Sequence, residues 1–202
     1  MAKGYILRKD TIIIQRELTE LDLFVKEFID ILKKYSNYLI VSGFVSISSG
    51  RARGTEDIDI IIPILNKSTF ERLFNDLKKN GFWCYQGDDA NIVYQYVKKM
   101  TNIRFARINE IIPNIEFIPF DKTKKAKFLE FSNPRKMRVK NFEFNIPQLE
   151  FEILYKELIL KGKKDMEDAK HLRSFFSEIL NQKKFKEYRP TIKEELNETK
   201  NR

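Results

Sequence analysis

The segment Asp57-Ile58-Asp59-Ile60-Ile61-Ile62 has the composition of a β-strand that begins with two carboxylates. Successive side chains of a strand point to opposite faces, so Asp57 and Asp59 share one face and alternate isoleucines share the other. Two neighbouring carboxylates on one face repel each other, and a divalent cation bound between them would relieve that repulsion. The doublet also fits a strand that simply starts in solvent. It therefore predicts either a metal-binding strand or a polar strand end above an apolar isoleucine face.

A short apolar segment and a glycine precede this strand and predict a phosphate-binding turn. Residues 38–42 have the composition of a strand that ends at Ser42-Gly43, and a short helix is predicted to follow. A glycine at a strand-to-helix turn lets the backbone approach a ligand closely, with helix N–H groups directed at phosphate. Arg53 and Thr55 stand just before the aspartates, and both can bind phosphate oxygens. These surroundings favour the metal-binding interpretation of the doublet.

The combined pattern resembles the signature of the nucleotidyltransferases of the DNA polymerase β superfamily. That signature is a strand, a glycine turn, a short helix and R-x-T-x-D-x-D leading into a hydrophobic strand. The chain departs from the family's usual Gly-Ser or Gly-Gly turn because Phe44 follows Gly43. The resemblance implies bound Mg²⁺ or Mn²⁺ and a nucleoside triphosphate substrate such as ATP. The implied site residues are Asp57 and Asp59 as catalytic metal ligands, and Ser42, Gly43, Arg53 and Thr55 as nucleotide-binding residues.

A third acidic residue, Glu116, lies inside the otherwise apolar segment Ile115-Glu116-Phe117-Ile118. A lone acid in a buried strand is costly unless it is paired or bound to a metal. In the superfamily an acidic residue on a strand of this pattern completes the metal site, so the resemblance implies that Glu116 is a catalytic residue and metal ligand. Asp121, just past the same strand, is the rival candidate. A Glu116 that faces solvent is the structural alternative.

The C-terminal part carries a proline-led helix and then the pattern K-D-x-x-D-x-x-x-L. The helix follows Pro147 and carries Lys156, and the second pattern places Asp165 and Asp168 on one helical face. Asp165 also suits the first turn of a helix, where an acid complements the helix dipole. Capping and surface ion pairs would explain both acids. The pattern resembles AbiE-type nucleotidyltransferase toxins and their prokaryotic relatives, which implies a phosphate contact for Lys156 and a place in the same cleft for Asp165 or Asp168.

Composition excludes several other chemistries. The 202 residues are 42% hydrophobic and 33% charged, as in a globular domain. One cysteine, Cys84, and one histidine, His171, cannot supply a disulfide framework or a zinc site of the usual N/S type. His171 also lies far from any nucleophile signature of a Ser-His-Asp enzyme. Because no apolar run reaches the length of a membrane span and no secretory signal begins the chain, we expect a cytoplasmic protein without a membrane partner.

The formal net charge of +9 favours a polyanionic partner, and positive charge is dense between residues 122 and 140. Eight Lys or Arg side chains stand there against one acid, Glu130. This stretch, residues 122–140, is called the basic segment below. It predicts a surface for RNA, with a tRNA end as the first guess, or for a cognate protein. A solvated hairpin is the alternative.

Hydrophobic spacing predicts an α/β (α+β) domain in which helices flank a mixed β-sheet, followed by a C-terminal helical segment. Predicted helices lie at 17–35, 43–50, 67–80, 88–100, 148–161 and 164–180, and the Asp88-Asp89 pair is expected to cap the fourth. Predicted strands lie at 11–14, 38–42, 57–62, 82–85, 102–108, 114–120, 126–131 and 136–145, the last two forming a hairpin around Asn133-Pro134. We expect three regions: a nucleotidyltransferase core at 1–147, helices packed on it at 148–182, and a flexible charged tail at 183–202.

The resemblance implies transfer of a nucleotide from a nucleoside triphosphate to an acceptor hydroxyl by a two-metal mechanism. The acceptor is expected to be RNA or a protein, and the AbiE-type likeness implies a toxin–antitoxin role. The alternative is a nucleotidyltransferase-like module that has lost activity and binds RNA or a partner protein. Retention of both aspartates argues for the enzyme, because an inactive copy has no need for a repulsive pair.

Overall fold

The computed structural model describes the backbone of residues 4–200 and the side chains of residues 4–196. Its strands, in chain order, are β1 (Tyr5–Arg8), β2 (Thr11–Ile14), β3 (Leu39–Ile40), β4 (Asp57–Pro63), β5 (Phe82–Cys84), β6 (Ile103–Arg107), β7 (Asn114–Phe120), β8 (Arg135–Val139) and β9 (Phe142–Ile146). Its helices are α1 (Glu20–Leu32), α2 (Gly43–Ser48), α3 (Lys67–Lys79), α4 (Ala90–Lys98), α5 (Lys125–Ser132), α6 (Leu149–Tyr155), α7 (Lys163–Phe175) and α8 (Gln182–Lys200). A π-helical turn, Lys156–Leu160, continues α6. Within the described part, no helix combines the length and apolar character that a bilayer crossing requires.

Five strands form the sheet that carries the candidate site, in the order β3-β4-β7-β6-β5. β4 and β7 are parallel along their whole length, and the other neighbours are antiparallel. Asp57 and Asp59 lie on one face of this sheet, which we call the carboxylate face. Ile58, Ile60 and Ile62 lie fully buried on the other, which we call the core face. The predicted alternation of aspartates and isoleucines between the two faces of this strand is therefore confirmed.

Helices α1 and α3 cover the core face and meet it through aromatic rings. The ring of Phe105 in β6 lies 5.6 Å from that of Phe28 in α1 and 6.0 Å from that of Phe74 in α3, measured between centroids. Phe117 in β7 packs against Phe105 at 6.2 Å and against Phe70 in α3 at 6.3 Å. Ring pairs at these distances stabilise beyond the apolar area that they bury. The helices thus fix β6 and β7 from behind and leave the carboxylate face to the site.

The remaining four strands form a second mixed sheet in the order β1-β2-β8-β9. β2 and β8 are parallel, and the two outer pairs are antiparallel. Phe144 of β9 packs on Phe44 of α2, with the ring centroids 5.6 Å apart, and joins the second sheet to the first. The predicted strand at 11–14 is β2. The α/β class with flanking helices is confirmed, with two mixed sheets in place of the single one expected.

The basic segment differs from the predicted hairpin. Residues 126–131, predicted as a strand, lie in α5, and the hairpin is formed by β8 and β9 instead. Ala126 and Glu130 are buried one helical turn apart, and Phe131 packs on Phe120 of β7 with 5.1 Å between centroids. Side chains four residues apart share a helix face, which explains why this stretch packs as a helix.

Where the sequence predicted a flexible charged tail, the described part of it, up to residue 200, lies in helix α8. Phe185, Tyr188 and Ile192 are buried at the spacing of one helical face. Tyr188 meets Phe151 of α6 edge-on at 5.7 Å between centroids. The many Lys and Glu residues around this sparse apolar stripe give the segment the composition of a disordered tail. Residues 201–202 lie outside the described part.

The predicted cap of α4 is confirmed. The Asp89 carboxylate accepts hydrogen bonds from the N–H groups of Asn91 and Ile92, at 2.7 and 3.0 Å. These bonds lower the pKa of Asp89, with the bond from Ile92 contributing most. Asp89 therefore satisfies orphan donors at a helix start, as N-cap residues do.

Candidate active site

Two rows of side chains cross the carboxylate face, and together they bring the three predicted catalytic carboxylates onto one surface. In the first row Asp59 of β4 pairs in register with Glu116 of β7, and Glu116 pairs with Arg104 of β6. In the second row Asp57 pairs with Asn114, whose amide donates a hydrogen bond of 2.7 Å to the Asp57 carboxylate. The parallel pairing of β4 and β7 is what places Asp57, Asp59 and Glu116 side by side.

Asp59 experiences the repulsion that the doublet predicted. Burial raises the pKa of Asp59 to about 7, and contact with the Glu116 carboxyl adds to the rise. The charge of Asp57 raises this pKa further, whereas a hydrogen bond from the Ser42 hydroxyl lowers it. Two carboxyl groups in contact retain a proton between them unless a cation compensates their charge. Glu116 therefore contributes more to the repulsion than Asp57 does, which the doublet alone could not indicate.

Two residues that were not among the sequence candidates hold Glu116. The Arg104 guanidinium lies 3.4 Å from the Glu116 carboxylate, and the Asn102 amide donates to it at 3.2 Å. The Glu116 side chain is 20% exposed, so it is neither a solvent-facing group nor a core group. Asn102 and Arg104 alternate with the buried Ile103 and Phe105, and this polar alternation next to Glu116 was the signal that could have identified them.

The donor chemistry of Asp57, Asp59 and Glu116 fits a hard divalent cation such as Mg²⁺, which prefers carboxylate oxygens. Within the part of the chain that the structure describes, no three His, Cys, Asp or Glu side chains already surround one common metal position. Glu116 is engaged by Arg104 as well as by Asp59, so a cation would compete with the Arg104 pair. Asp57 and Asp59 are thus the ligands whose surroundings oppose a cation least.

The turn from β3 into α2 is built on Ser42 and Gly43. Ser42 adopts φ 61° and ψ −130°, a backbone conformation that residues other than glycine rarely adopt. Its hydroxyl donates to Asp59, and its N–H donates to the Glu152 carboxylate of α6. Phe44 is buried in the core. Phe44 is thus a core residue, and Ser42 is the residue of this turn whose conformation favours glycine.

We expect Ser42→Gly to have a free energy of unfolding about 1 kcal/mol or more above that of Ser42→Ala. Both variants lose the hydroxyl, but only alanine keeps a Cβ atom at a positive φ, and this difference should exceed the entropic cost of glycine. Urea denaturation of the two variants measures the difference. Equal stabilities would show that the turn stores no strain at Ser42.

Gly43 allows the Arg53 guanidinium to lie against the turn. A Cβ atom on Gly43 would come within 2.6 Å of Arg53 Nη2. Asp168 of α7 holds Arg53 there by accepting two hydrogen bonds, from Nε at 3.0 Å and from Nη2 at 2.7 Å. Thr55 donates from its hydroxyl to the Asp57 carbonyl at 2.9 Å and so shapes the start of β4. The predicted turn residues are brought together, with a fixed positive charge beside the glycine.

Lys156 lies fully buried behind this turn, in a network with three carboxylates. Its ammonium is 3.1 Å from Asp168, 3.3 Å from Glu152 and 3.8 Å from Asp165. Burial lowers the pKa of Lys156, but the charges of Glu152 and Asp168 outweigh burial and raise it overall. The structure therefore corrects the predicted phosphate contact, because the ammonium is enclosed by protein. Lys156 instead supports the carboxylates that hold the two sides of the turn.

The basic segment is divided between a helix and a hairpin. Its first half lies in and before α5, and its second half lies in the β8–β9 hairpin. In the hairpin, Lys136 pairs with Glu143 at 2.7 Å and Lys140 pairs with Glu17 at 2.5 Å. These pairs reduce the charge that the hairpin offers to a polyanion. Binding of RNA or protein by the segment stays a prediction, and the half before and within α5 is the better candidate.

Comparisons with known proteins support the fold. No protein-family model matches the sequence, and no curated protein matches it. An antigenic nucleotidyltransferase-like protein from Paracoccidioides brasiliensis is similar in structure, with 17% identity and a TM-score of 0.52 over 78% of this chain and 76% of that one. The structure of ANT(2")-Ia in complex with adenylyl-2"-tobramycin shares 11% identity and has a TM-score of 0.48, over 88% of this chain and 99% of that one. The first likeness shows a nucleotidyltransferase-like fold.

Proposed function

We propose that the protein is a metal-dependent nucleotidyltransferase, which moves a nucleoside monophosphate from a nucleoside triphosphate to an acceptor hydroxyl. The observation that carries this proposal is the meeting of Asp57, Asp59 and Glu116 on the carboxylate face, beside the Ser42-Gly43 turn. Burial, together with the Glu116 and Asp57 carboxylates, raises the pKa of Asp59 to about 7, and such an arrangement destabilises the fold unless it binds a ligand. A cation and a triphosphate are the ligands that this arrangement would accommodate.

Asp57, Asp59 and Glu116 would hold Mg²⁺ or Mn²⁺. Such a cation, when bound, would offset the charge of the triphosphate and lower the pKa of the acceptor hydroxyl. In the reaction the acceptor oxygen forms a bond to the α-phosphorus, the bond from that phosphorus to its bridging oxygen breaks, and pyrophosphate leaves. Glu116 would accept the hydroxyl proton if it acts as the base; if it acts only as a ligand, the proton would pass to solvent. Positioning and charge supply most of the catalysis in such reactions.

The surrounding residues would orient these groups. The Asn114 amide fixes Asp57, and the Ser42 hydroxyl fixes Asp59. Gly43, Arg53 and the Ser42 backbone would face the leaving phosphates, with Thr55 shaping the approach. Lys156 would act as a positioning residue through Asp168 and Arg53, together with Asp165 at the edge of the network.

One observation favours a second candidate, a nucleotidyltransferase-like module that binds RNA or a protein without chemistry. Arg104 and Asn102 already engage Glu116, so the third carboxylate is partly neutralised within the chain. The pair is long at 3.4 Å and partly exposed, and surface ion pairs of this kind contribute little. We therefore place the enzyme first.

RNA is the acceptor class we propose first, and a protein is the second. The net charge and the α5 half of the basic segment favour RNA over protein as acceptor, because both would attract a polyanion electrostatically. The AbiE-type relationship and a toxin–antitoxin role stay predictions that follow from the sequence resemblance.

Label transfer tests the proposal. Purified protein is incubated with each α-labelled nucleoside triphosphate, with total RNA or total protein as acceptor, and with or without Mg²⁺. We expect Mg²⁺-dependent label in RNA. Label in protein alone would keep the enzyme and change the acceptor. Absence of label from all four triphosphates with either Mg²⁺ or Mn²⁺ would favour the binding module.

A further inference from the structure

A stacked aromatic pair, Trp83 and Tyr85, lies at the edge of the sheet on the carboxylate face. The two rings are 4.6 Å apart between centroids and 15° from parallel. Trp83 is 37% exposed. The indole N–H donates to the Glu110 carbonyl at 3.0 Å, and the Tyr85 hydroxyl donates to the Ile111 carbonyl. The loop between β6 and β7 thus satisfies both polar groups and leaves the indole an apolar surface for a ligand.

The two rows of the site lead directly to these rings. Tyr85 donates its backbone N–H to the Arg104 carbonyl and continues the row of Asp59, Glu116 and Arg104. Trp83 pairs with Ala106 and so continues the other row. Two strand spacings separate β5 from β7, which places the backbone of Tyr85 about 10 Å from that of Glu116. Partial burial raises the pKa of Tyr85, the Arg104 charge opposes the rise, and the Asp57 charge adds to it.

The surroundings suit a planar, electron-rich and negatively charged partner. Ile108, Ile111 and Ile112 are exposed in the loop that holds the rings and form an apolar border. The Arg104 side chain is 41% exposed between the rings and Glu116. Aromatic rings with a neighbouring arginine are the means by which proteins bind single-stranded nucleic acid, by base stacking and phosphate contact.

We propose that Trp83 and Tyr85 form the stacking platform for the terminal base of a single-stranded RNA acceptor. The proposal rests on the proposed function, which places the acceptor hydroxyl at Glu116. The direction from Asp59 to Glu116 continues over Arg104 to Tyr85, so a nucleotide whose hydroxyl lies at Glu116 would extend across Arg104 toward the rings. Arg104 meets the backbone phosphate, in agreement with the net positive charge of the chain.

Fluorescence of the wild-type protein tests the platform without any catalysis. Trp83 is the single tryptophan of the chain, so its emission reports on this position alone. The probe is a fluorescently labelled single-stranded oligoadenylate of about eight nucleotides with a free 3′ end, added without triphosphate. We expect tryptophan quenching to follow the same titration curve as the anisotropy of the RNA label. RNA that binds without quenching, or that does not bind, would overturn the platform. Quenching by ATP alone would assign the rings to the donor base and would also overturn it.

A matched pair of variants extends the test to transfer. Trp83→Leu keeps apolar bulk and removes the ring face, and Tyr96→Leu makes a similar change at an exposed position on α4. We expect Trp83→Leu to raise KM for RNA about tenfold or more, with KM for the triphosphate unchanged, and Trp83→Phe to restore part of the loss. Tyr96→Leu should behave as wild type.

The two proposals fail in different ways. If transfer to RNA depends on Asp57 but is unchanged in Trp83→Leu, the platform proposal is wrong and the enzyme proposal is unaffected. Quenching by RNA in a protein that transfers no nucleotide would support the platform as an RNA site and remove the enzyme. Circular dichroism of each variant separates a folding defect from a binding defect.

Discussion

Replacing Asp59 with asparagine should abolish nucleotidyl transfer and leave the fold intact. The substitution keeps the size of the side chain and its place beside Ser42, but removes one of the three carboxylate charges that would hold a cation. Loss of a single electrostatic group that stabilises a transition state lowers kcat by about 10²–10³-fold, and a metal ligand should lie at or above the upper end of that range. Asp57→Ala and Asp59→Ala should behave alike. Transfer of label from the preferred triphosphate measures the loss.

The same substitution should leave stability unchanged or raise it. Asp59 is partly buried next to Glu116, and burial and the Glu116 carboxyl raise its pKa, so its charged form is unfavourable in the fold. Removing the charge removes that cost, a gain typical of substitutions at sites that sacrifice stability for function. Thermal denaturation of Asp59→Asn beside wild type measures it. A large drop in Tm would indicate that Asp59 has a structural role.

Asp121→Asn is the matched control for transfer. Asp121 follows β7, and its carboxylate accepts from the Thr123 N–H at 2.8 Å and from the Thr123 hydroxyl at 2.5 Å. Asp121 therefore shapes a turn outside the two rows, and its replacement should leave transfer close to wild type. Transfer that survives Glu116→Gln and is lost with Asp121→Asn would assign the third carboxylate to the rival position and contradict the mechanism.

The parts of the site that local periodicity determines could be predicted from the sequence. Alternation along a strand is a property of the chain itself, so the shared face of Asp57 and Asp59 followed from their spacing. A lone acid in an apolar strand was enough to single out Glu116. The pairing of β4 with β7 joins segments that are distant in the sequence, and it places Glu116 directly opposite Asp59. As a result, Glu116 affects the pKa of Asp59 more than Asp57 does.

The parts that depend on packing could not be predicted. Burial of Lys156 results from the convergence of α6, α7 and the turn after β3, and no spacing in the sequence encodes that convergence. The positive φ of Ser42 is set by the same contacts. In α8 the signal was local: Phe185, Tyr188 and Ile192 have helical spacing. The prediction missed this helix because the segment's overall composition is highly charged.

Replacing Asp168 with asparagine should produce the largest loss of stability at the site. Asp168 is fully buried, and its carboxylate forms ion pairs with Arg51 at 2.7 Å, Arg53 at 2.7 Å and Lys156 at 3.1 Å. Removing one partner of a buried ion pair leaves the other charges uncompensated and costs about 3–5 kcal/mol. For a chain of this length the corresponding fall in Tm is on the order of 10 °C.

The pH dependence of this loss separates charge from packing. Burial alone would raise the pKa of Asp168, but the hydrogen bond from Arg53 and the charge of Lys156 outweigh burial and lower it. A lowered pKa means that the carboxylate stabilises the fold above the pKa of an unfolded aspartate, about 4, and that the contribution is lost as the pH falls through the lower folded value. The stability difference between wild type and Asp168→Asn, measured by urea denaturation, should therefore be largest at neutral pH and shrink in acid. Asp165→Asn is the control, because Asp165 is partly exposed and 3.8 Å from Lys156, and it should cost less than about 1 kcal/mol. A loss that is equal for both variants, or independent of pH, would show that the network stabilises the turn by packing and not by charge.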